Sequence, residues 1–196
     1  MISIQLTGLS GAGKTTLALN VKSMLTKLAY KTEVIDGDVY RKTLCKDLGF
    51  SKADRIENIR RLGSLAISLA RDNVISIMAA INPYESVRQE LKSQYDFVYT
   101  VWVDCDLETL IQRDTKGLYR RALLPAEHPE KISNLTGIDD PFEPPENPDL
   151  IIDTHKTAEQ DSSRILLDYI LSQIQSFPSA LSHGDVTMTR TLSDST

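Results

Sequence analysis

Gly8-Leu9-Ser10-Gly11-Ala12-Gly13-Lys14-Thr15, followed by Thr16, is the stretch on which the reading of this chain turns. It fits G-x-x-x-x-G-K-[ST], a loop whose backbone N–H groups cradle phosphates. Its flanks suit that loop. Ile2, Ile4 and Leu6 alternate with Ser3 and Gln5, as in a strand entering it. Leu17, Val21, Met24, Leu25 and Leu28 recur at helical spacing after it. Glycines let the backbone curl so that its N–H groups meet phosphate oxygens. The positive end of the following helix adds to that attraction. In such a loop Lys14 reaches the β- and γ-phosphates and Thr15 holds Mg²⁺. The expectation is a nucleoside triphosphate site, walled by residues 8 to 16.

Working outward, Glu33-Val34-Ile35 reads as a second strand, ending in Asp36-Gly37-Asp38 with Arg41 close behind. In a parallel sheet the carboxyl ends of the strands line the ligand crevice. Two carboxylates there organise Mg²⁺ or take a proton from a hydroxyl; the plain alternative is a solvated Asp-Gly turn. Gly49-Phe50-Ser51 precedes a helix over 52–71, whose apolar stripe is Ile59, Leu62, Ala66, Leu69 and Ala70. Arg55 and Asn58 fall beside that stripe and need partners there. A bound anion or a structural salt bridge would serve for Arg55. Arg60 points to solvent, with Arg61 between these cases.

The run Val74–Ile81 is almost wholly apolar and reads as a central parallel strand buried on both faces. It ends at Asn82-Pro83-Tyr84. A short polar helix over 85–94 and a strand over 97–103 follow. A helix over 106–114, with Leu107, Leu110 and Ile111 inward, leads into Arg113, Lys116, Arg120 and Arg121. Such a basic cluster forms either a mobile lid over phosphates or a charged solvent face. Six of the eight prolines lie between Pro125 and Pro148, so this stretch is irregular, and long ordered loops in compact domains are usually functional. Leu150–Asp153 is the last strand. A helix over 158–174, with Ile165, Leu166, Tyr169, Ile170 and Ile174 inward, closes the domain. Beyond it the chain is polar, rich in Ser and Thr and without periodicity, which reads as a flexible tail over 176–196.

Five strands alternating with helices behind a phosphate loop predict an α/β fold. It is a three-layer P-loop NTPase domain over 1–175, with a five-stranded parallel sheet flanked by helices and a lid. Composition agrees with a single globular domain: 196 residues, 41% hydrophobic and 25% charged. The net charge of -5 argues against a general nucleic-acid partner. No apolar run approaches a membrane span. The first strand opens almost at residue 1, leaving no space for a signal peptide. Cys45 and Cys105 fit no metal spacing and read as reduced thiols of a cytoplasmic protein. His128, His155 and His183 are scattered, without a ligand pattern.

Taken together these pieces resemble the adenylylsulfate kinase (APS kinase) family over about residues 2 to 175. The resemblance rests on the phosphate loop, on Asp36-Gly37-Asp38 with Arg41, and on Gly49-Phe50. It rests further on Asp54-Arg55-Ile56-Glu57-Asn58-Ile59-Arg60-Arg61, Lys116-Gly117-Leu118-Tyr119 and Thr136-Gly137-Ile138-Asp139-Asp140-Pro141. It implies transfer of the γ-phosphoryl of ATP, with Mg²⁺, to the 3′-hydroxyl of adenosine 5′-phosphosulfate (APS). By the same resemblance Asp38 lies near the acceptor hydroxyl and Mg²⁺, while Arg41, Arg55 and Asn58 hold the phosphosulfate. Phe50 stacks on the acceptor adenine, and Lys14 and Lys116 neutralise charge on the transferred group. Ile81, Thr136, Gly137 and Ile138 complete the acceptor pocket, Arg113 is assigned to the ATP adenine, and a homodimer is implied. Two positions depart from the family pattern. Asn82 stands where the family has Ser, so no phosphoserine can form there. Leu135 stands where the family has a second Phe, which leaves the aromatic sandwich one-sided and predicts weaker acceptor binding or a changed acceptor. A related small-molecule kinase or a non-catalytic nucleotide-binding subunit are the other readings.

Overall fold

The structure, a computed structural model, describes residues 1–176; the tail expected over 176–196 lies outside them but for Ser176. The chain runs β1 Ser3–Thr7, α1 Lys14–Lys27, β2 Thr32–Asp36, α2 Gly37–Tyr40, α3 Lys52–Arg71 and β3 Ile75–Ala79. It continues α4 Glu85–Gln94, β4 Val98–Asp104, α5 Leu107–Arg113, α6 Leu118–Ala122, β5 Leu150–Asp153 and α7 Glu159–Ser176. The five strands form one sheet in the order β2-β3-β1-β4-β5, parallel throughout. The carboxyl ends of all strands therefore share one rim, and the loops that follow them meet above it. The α/β architecture read from the sequence is the one observed.

Helices cover both faces. On one side Leu17, Val21 and Leu25 of α1 and Leu166 and Ile170 of α7 pack on Ile2, Ile4, Leu6, Val101, Val103 and Ile152. On the other, Ile59, Leu62 and Ala66 of α3 with Val87 and Leu91 of α4 cover Ile35 and Met78. Two expected inward residues turn out differently: Ile165 of α7 is 40% exposed and Leu28, just past α1, is 52% exposed. Leu167 is buried on α7 instead, because α7 rolls so that Ser162 and Ser163 also face inward. Strand β3 is shorter than its apolar run. Ala80, Ile81 and Asn82 leave the sheet, and Asn82 takes a left-handed φ of +47° that asparagine tolerates.

Backbone demands explain two glycines of the site. Gly8 has φ +150°, and a Cβ there would lie 2.3 Å from the Val103 carbonyl oxygen, so β1 can turn into the loop only with glycine. Gly137 has φ +92°, with a Cβ position 2.7 Å from Leu9. The stretch 123–149 contains no helix or strand beyond a bridge between Thr136 and Asp140, as its prolines predict.

Candidate active site

The rim of the sheet opens into a cavity of about 770 Å³ lined by the phosphate loop, α2, α3, the end of β3, the α6 lid and the loop before Thr136. It brings together Ser10, Gly11, Gly13, Lys14, Thr15, Thr16, Asp38, Arg41, Phe50, Arg55, Asn58, Ile81, Lys116, Leu135 and Thr136. Gly8, Leu9 and Ala12 stand behind that wall as the loop's support. Gly137 and Ile138 do not line the cavity either: they form the turn whose N–H groups bond Asp140 and Leu135 carbonyls. Arg113 is also outside. It donates to the Thr154 carbonyl at 3.0 Å, while Thr154 Oγ1 donates to the Ala12 carbonyl, which places Arg113 on the outer flank of the phosphate loop.

Lys14 is buried, and its ammonium donates to the carbonyls of Gly8 and Leu9 at 2.8 and 2.7 Å. Burial, reinforced by Lys116 across the cavity, pulls its pKa down to about 7. A cation so destabilised gains most from an arriving polyanion. Thr15 Oγ1 donates to Asp36 Oδ2 at 2.7 Å, and the other oxygen of Asp36 caps α2 through the N–H groups of Asp38 and Val39. Asp36 is thus the carboxylate beside Thr15. Asp38, expected there with the metal, pairs instead with Lys116 of the lid. That pair is solvent-exposed, so it is weak and opens readily. A hydroxyl and a carboxylate on one side of a phosphate loop suit Mg²⁺, a hard cation that takes few protein ligands and completes its shell with phosphates and water. Among the described residues no cluster of three or more acidic, His or Cys ligands forms an all-protein site.

The lid is held by its own chemistry. Asp114 accepts from the N–H groups of Tyr119 and Arg120, which starts α6. Tyr119 is buried and donates from its hydroxyl to the Ser10 carbonyl at 2.8 Å, and burial pushes its pKa up to about 12. Lid and phosphate loop are therefore hydrogen-bonded to each other, a link that the spacing of Lys116-Gly117-Leu118-Tyr119 does not announce.

Arg55 departs from its expected use. Its Nε donates to the Phe50 carbonyl at 3.0 Å and Nη1 to Thr136 Oγ1 at 3.0 Å, while Nη2 donates to the Asn134 carbonyl and pairs with Asp140 at 2.8 Å. Of the two readings of Arg55 left open by the sequence, the structure shows the salt bridge, in a residue that also lines the cavity. Thr136 contributes its hydroxyl to that clamp. Arg41 donates to the Gly49 carbonyl and lies 4.6 Å above the Phe50 ring, with burial and Arg55 pressing its pKa below the usual value. Phe50 is 58% exposed, an aromatic face open toward the cavity. Leu135, by contrast, is buried in the main core. Arg60 and Arg61 serve the surface, pairing with Glu90 and with Asp47 and Glu57. Five basic residues, Lys14, Arg41, Lys42, Arg55 and Lys116, thus line one cavity with Asp38, and Asp36 stands behind Thr15, an arrangement for two anionic ligands.

The family described as Adenylylsulphate kinase matches residues 1–153. The chain is 46% identical over 175 residues to the adenylyl-sulfate kinase of Synechococcus sp. (strain JA-3-3Ab), covering 89% of this chain and 94% of that one. Its fold is similar to that of the APS kinase CysC of Mycobacterium tuberculosis, solved in complex with AMPPNP and APS. The TM-score is 0.79 at 33% identity, over 87% of this chain and 97% of that one. It also resembles the hexameric APS kinase of Thiobacillus denitrificans, with a TM-score of 0.63 at 26% identity, over 88% of this chain and 29% of that one.

Proposed function

The chain belongs to the adenylylsulphate kinase family, and from that membership we infer that it transfers the γ-phosphoryl of ATP to the 3′-hydroxyl of APS. The product is 3′-phosphoadenosine 5′-phosphosulfate. One observation carries the assignment of residues: the phosphate loop, the lid and the aromatic-arginine wall share a single cavity. The loop amides and Lys14 bind the triphosphate of ATP. Thr15, with Asp36 behind it, holds Mg²⁺, which supplies charge neutralisation on the phosphates. Asp38 orients the acceptor hydroxyl and receives its proton once Lys116 has left it for the transferring phosphoryl. Lys14 and Lys116 stabilise the charge on that group. The open face of Phe50 takes the acceptor base, and Arg41, with Asn58 and the free part of Arg55, takes the phosphosulfate. Arg113, on the outer flank of the loop, is the candidate for the ATP adenine.

A homodimer and a cytoplasmic setting are part of this proposal. The buried free thiols Cys45 and Cys105 are consistent with a reducing compartment, and no described helix is long and apolar enough to cross a membrane. The test is release of ADP from MgATP with APS as acceptor, against AMP, adenosine and gluconate. APS-dependent release with a 3′-phosphorylated product is expected. Release with a different acceptor would favour a related kinase, the reading that Leu135 in place of the family's second Phe motivates.

A further inference from the structure

Two hydroxyls from outside the phosphate loop hold its carbonyls from behind. Tyr119 Oη donates to the Ser10 carbonyl at 2.8 Å, and Thr154 Oγ1 donates to the Ala12 carbonyl at 3.0 Å. Tyr119 belongs to the lid helix α6, and Thr154 to the turn after β5. Tyr119 packs in the main core with Ala12 and Leu110 and does not line the cavity, whereas Ser10 and Gly11 do. The loop therefore lies between a phenol on its core side and the cavity on its other side. Burial keeps that phenol protonated, so it remains a donor.

A planar trans peptide carries its carbonyl and the following N–H on opposite edges. The Ser10–Gly11 and Ala12–Gly13 peptides are both trans. A Ser10 carbonyl drawn toward Tyr119 therefore turns the Gly11 N–H away from the core, toward the cavity that Gly11 lines. The Thr154 bond does the same for the Gly13 N–H. Left-handed φ values of +80° at Gly11 and +95° at Gly13 let the chain make these turns. Other amides of the loop are spent within the protein: Gly8 N–H bonds the Ile81 carbonyl, and Ala12 N–H bonds the Leu9 carbonyl. We propose that Tyr119 is a positioning residue for the nucleotide, its hydroxyl fixing the Ser10–Gly11 peptide so that the Gly11 N–H donates to the phosphates that ATP and ADP share. This rests on the nucleotide half of the function proposed above. Lys116, three residues earlier on the lid, serves the transferred γ-phosphoryl instead, so the two effects separate.

The test pairs calorimetric titration of ADP with steady-state kinetics, in the full-length chain and in Tyr119→Phe, which removes the hydroxyl and keeps the packing of the ring. The dissociation constant of ADP and KM for ATP are expected to rise together, each at least about fivefold. KM for APS should stay within about twofold of its starting value. Thr154→Val frees the Ala12 carbonyl without altering the lid, and it should weaken ADP by a similar factor. An ADP affinity unchanged in either variant would overturn the proposal. So would a loss confined to ATP, which would route the effect through Lys116, or equal rises in KM for ATP and APS, the mark of a loosened fold. Absence of turnover with APS, beside weakened ADP binding in Tyr119→Phe, would defeat the acceptor assignment and uphold the role of Tyr119, because ADP binding needs no acceptor.

Discussion

At the scale of single residues, the site is a set of groups held in states that a ligand would relieve. Lys14 is the clearest case. Burial lowers its pKa from 10.5 to about 7. Between those values the unfolded chain keeps a proton that the folded chain has lost, so raising the pH across that window stabilises the nucleotide-free protein. Phosphates favour the charged form, so binding of ATP near pH 8 takes up a proton at Lys14. Calorimetry in buffers of different ionisation enthalpy measures that uptake, and an enthalpy independent of buffer would contradict it. Asp38 gives a second prediction. Because its carboxylate touches the lid lysine and not the core, Asp38→Ala should keep ATP binding and the melting temperature while turnover falls at least about a hundredfold. Near-normal turnover would remove Asp38 from the chemistry. Leu135 gives a third. Leu135 lines the cavity from the core, and a Phe there should tighten APS binding by about 1 kcal/mol, read as a lower KM for APS alone. Unchanged or weaker binding would show a pocket rebuilt around leucine.

At the scale of elements, the loops above the sheet and the first turns of the helices they feed carry the site, and glycines decide which loops can exist. Gly8 and Gly117 separate two kinds of demand. A methyl on Gly8 meets the Val103 carbonyl of β4, backbone that cannot move without breaking the sheet. A methyl on Gly117 meets nothing within 4 Å, so only its φ of +63° resists. Gly117→Ala should therefore cost about 1–2 kcal/mol, with a folded protein of reduced activity. Gly8→Ala should abolish the folded state or the phosphate loop. Denaturant unfolding of the two variants makes the comparison, and equal losses would refute the steric distinction. Loop 123–149 is likewise fastened by single residues. Arg55 grips it at Asn134, Thr136 and Asp140, and Arg88 holds the Glu143 carbonyl.

At the scale of the whole molecule, a parallel sheet with β1 at its centre places every functional loop on one rim. The phosphate loop follows the central strand, and its neighbours β3 and β4 flank it, so Asn82 and Asp104 approach it from opposite sides. Residues more than a hundred positions apart meet there, such as Ser10 with Tyr119 and Ala12 with Thr154. Assembly belongs to this scale too. A homodimer is expected for the full chain, and light scattering after size-exclusion chromatography should return twice 21.9 kDa; a monomer or hexamer would replace it.

Much of this was legible in the chain itself. The phosphate loop, the order of strands and helices and the irregular proline-rich stretch are local patterns, and hydrophobic period with turn chemistry is enough to read them. That Lys14, Thr15, Asp38 and Lys116 gather at one cavity was legible too, the first two from the phosphate-loop motif and the others from the family resemblance. Tertiary structure alone decided which carboxylate stands beside Thr15, that Arg55 clamps a loop as well as facing the cavity, and that Gly137, Ile138 and Arg113 lie outside its lining. Those outcomes depend on directions of side chains across strands and loops distant in sequence, where hydrogen-bond donors and acceptors are matched only once the sheet has brought them together.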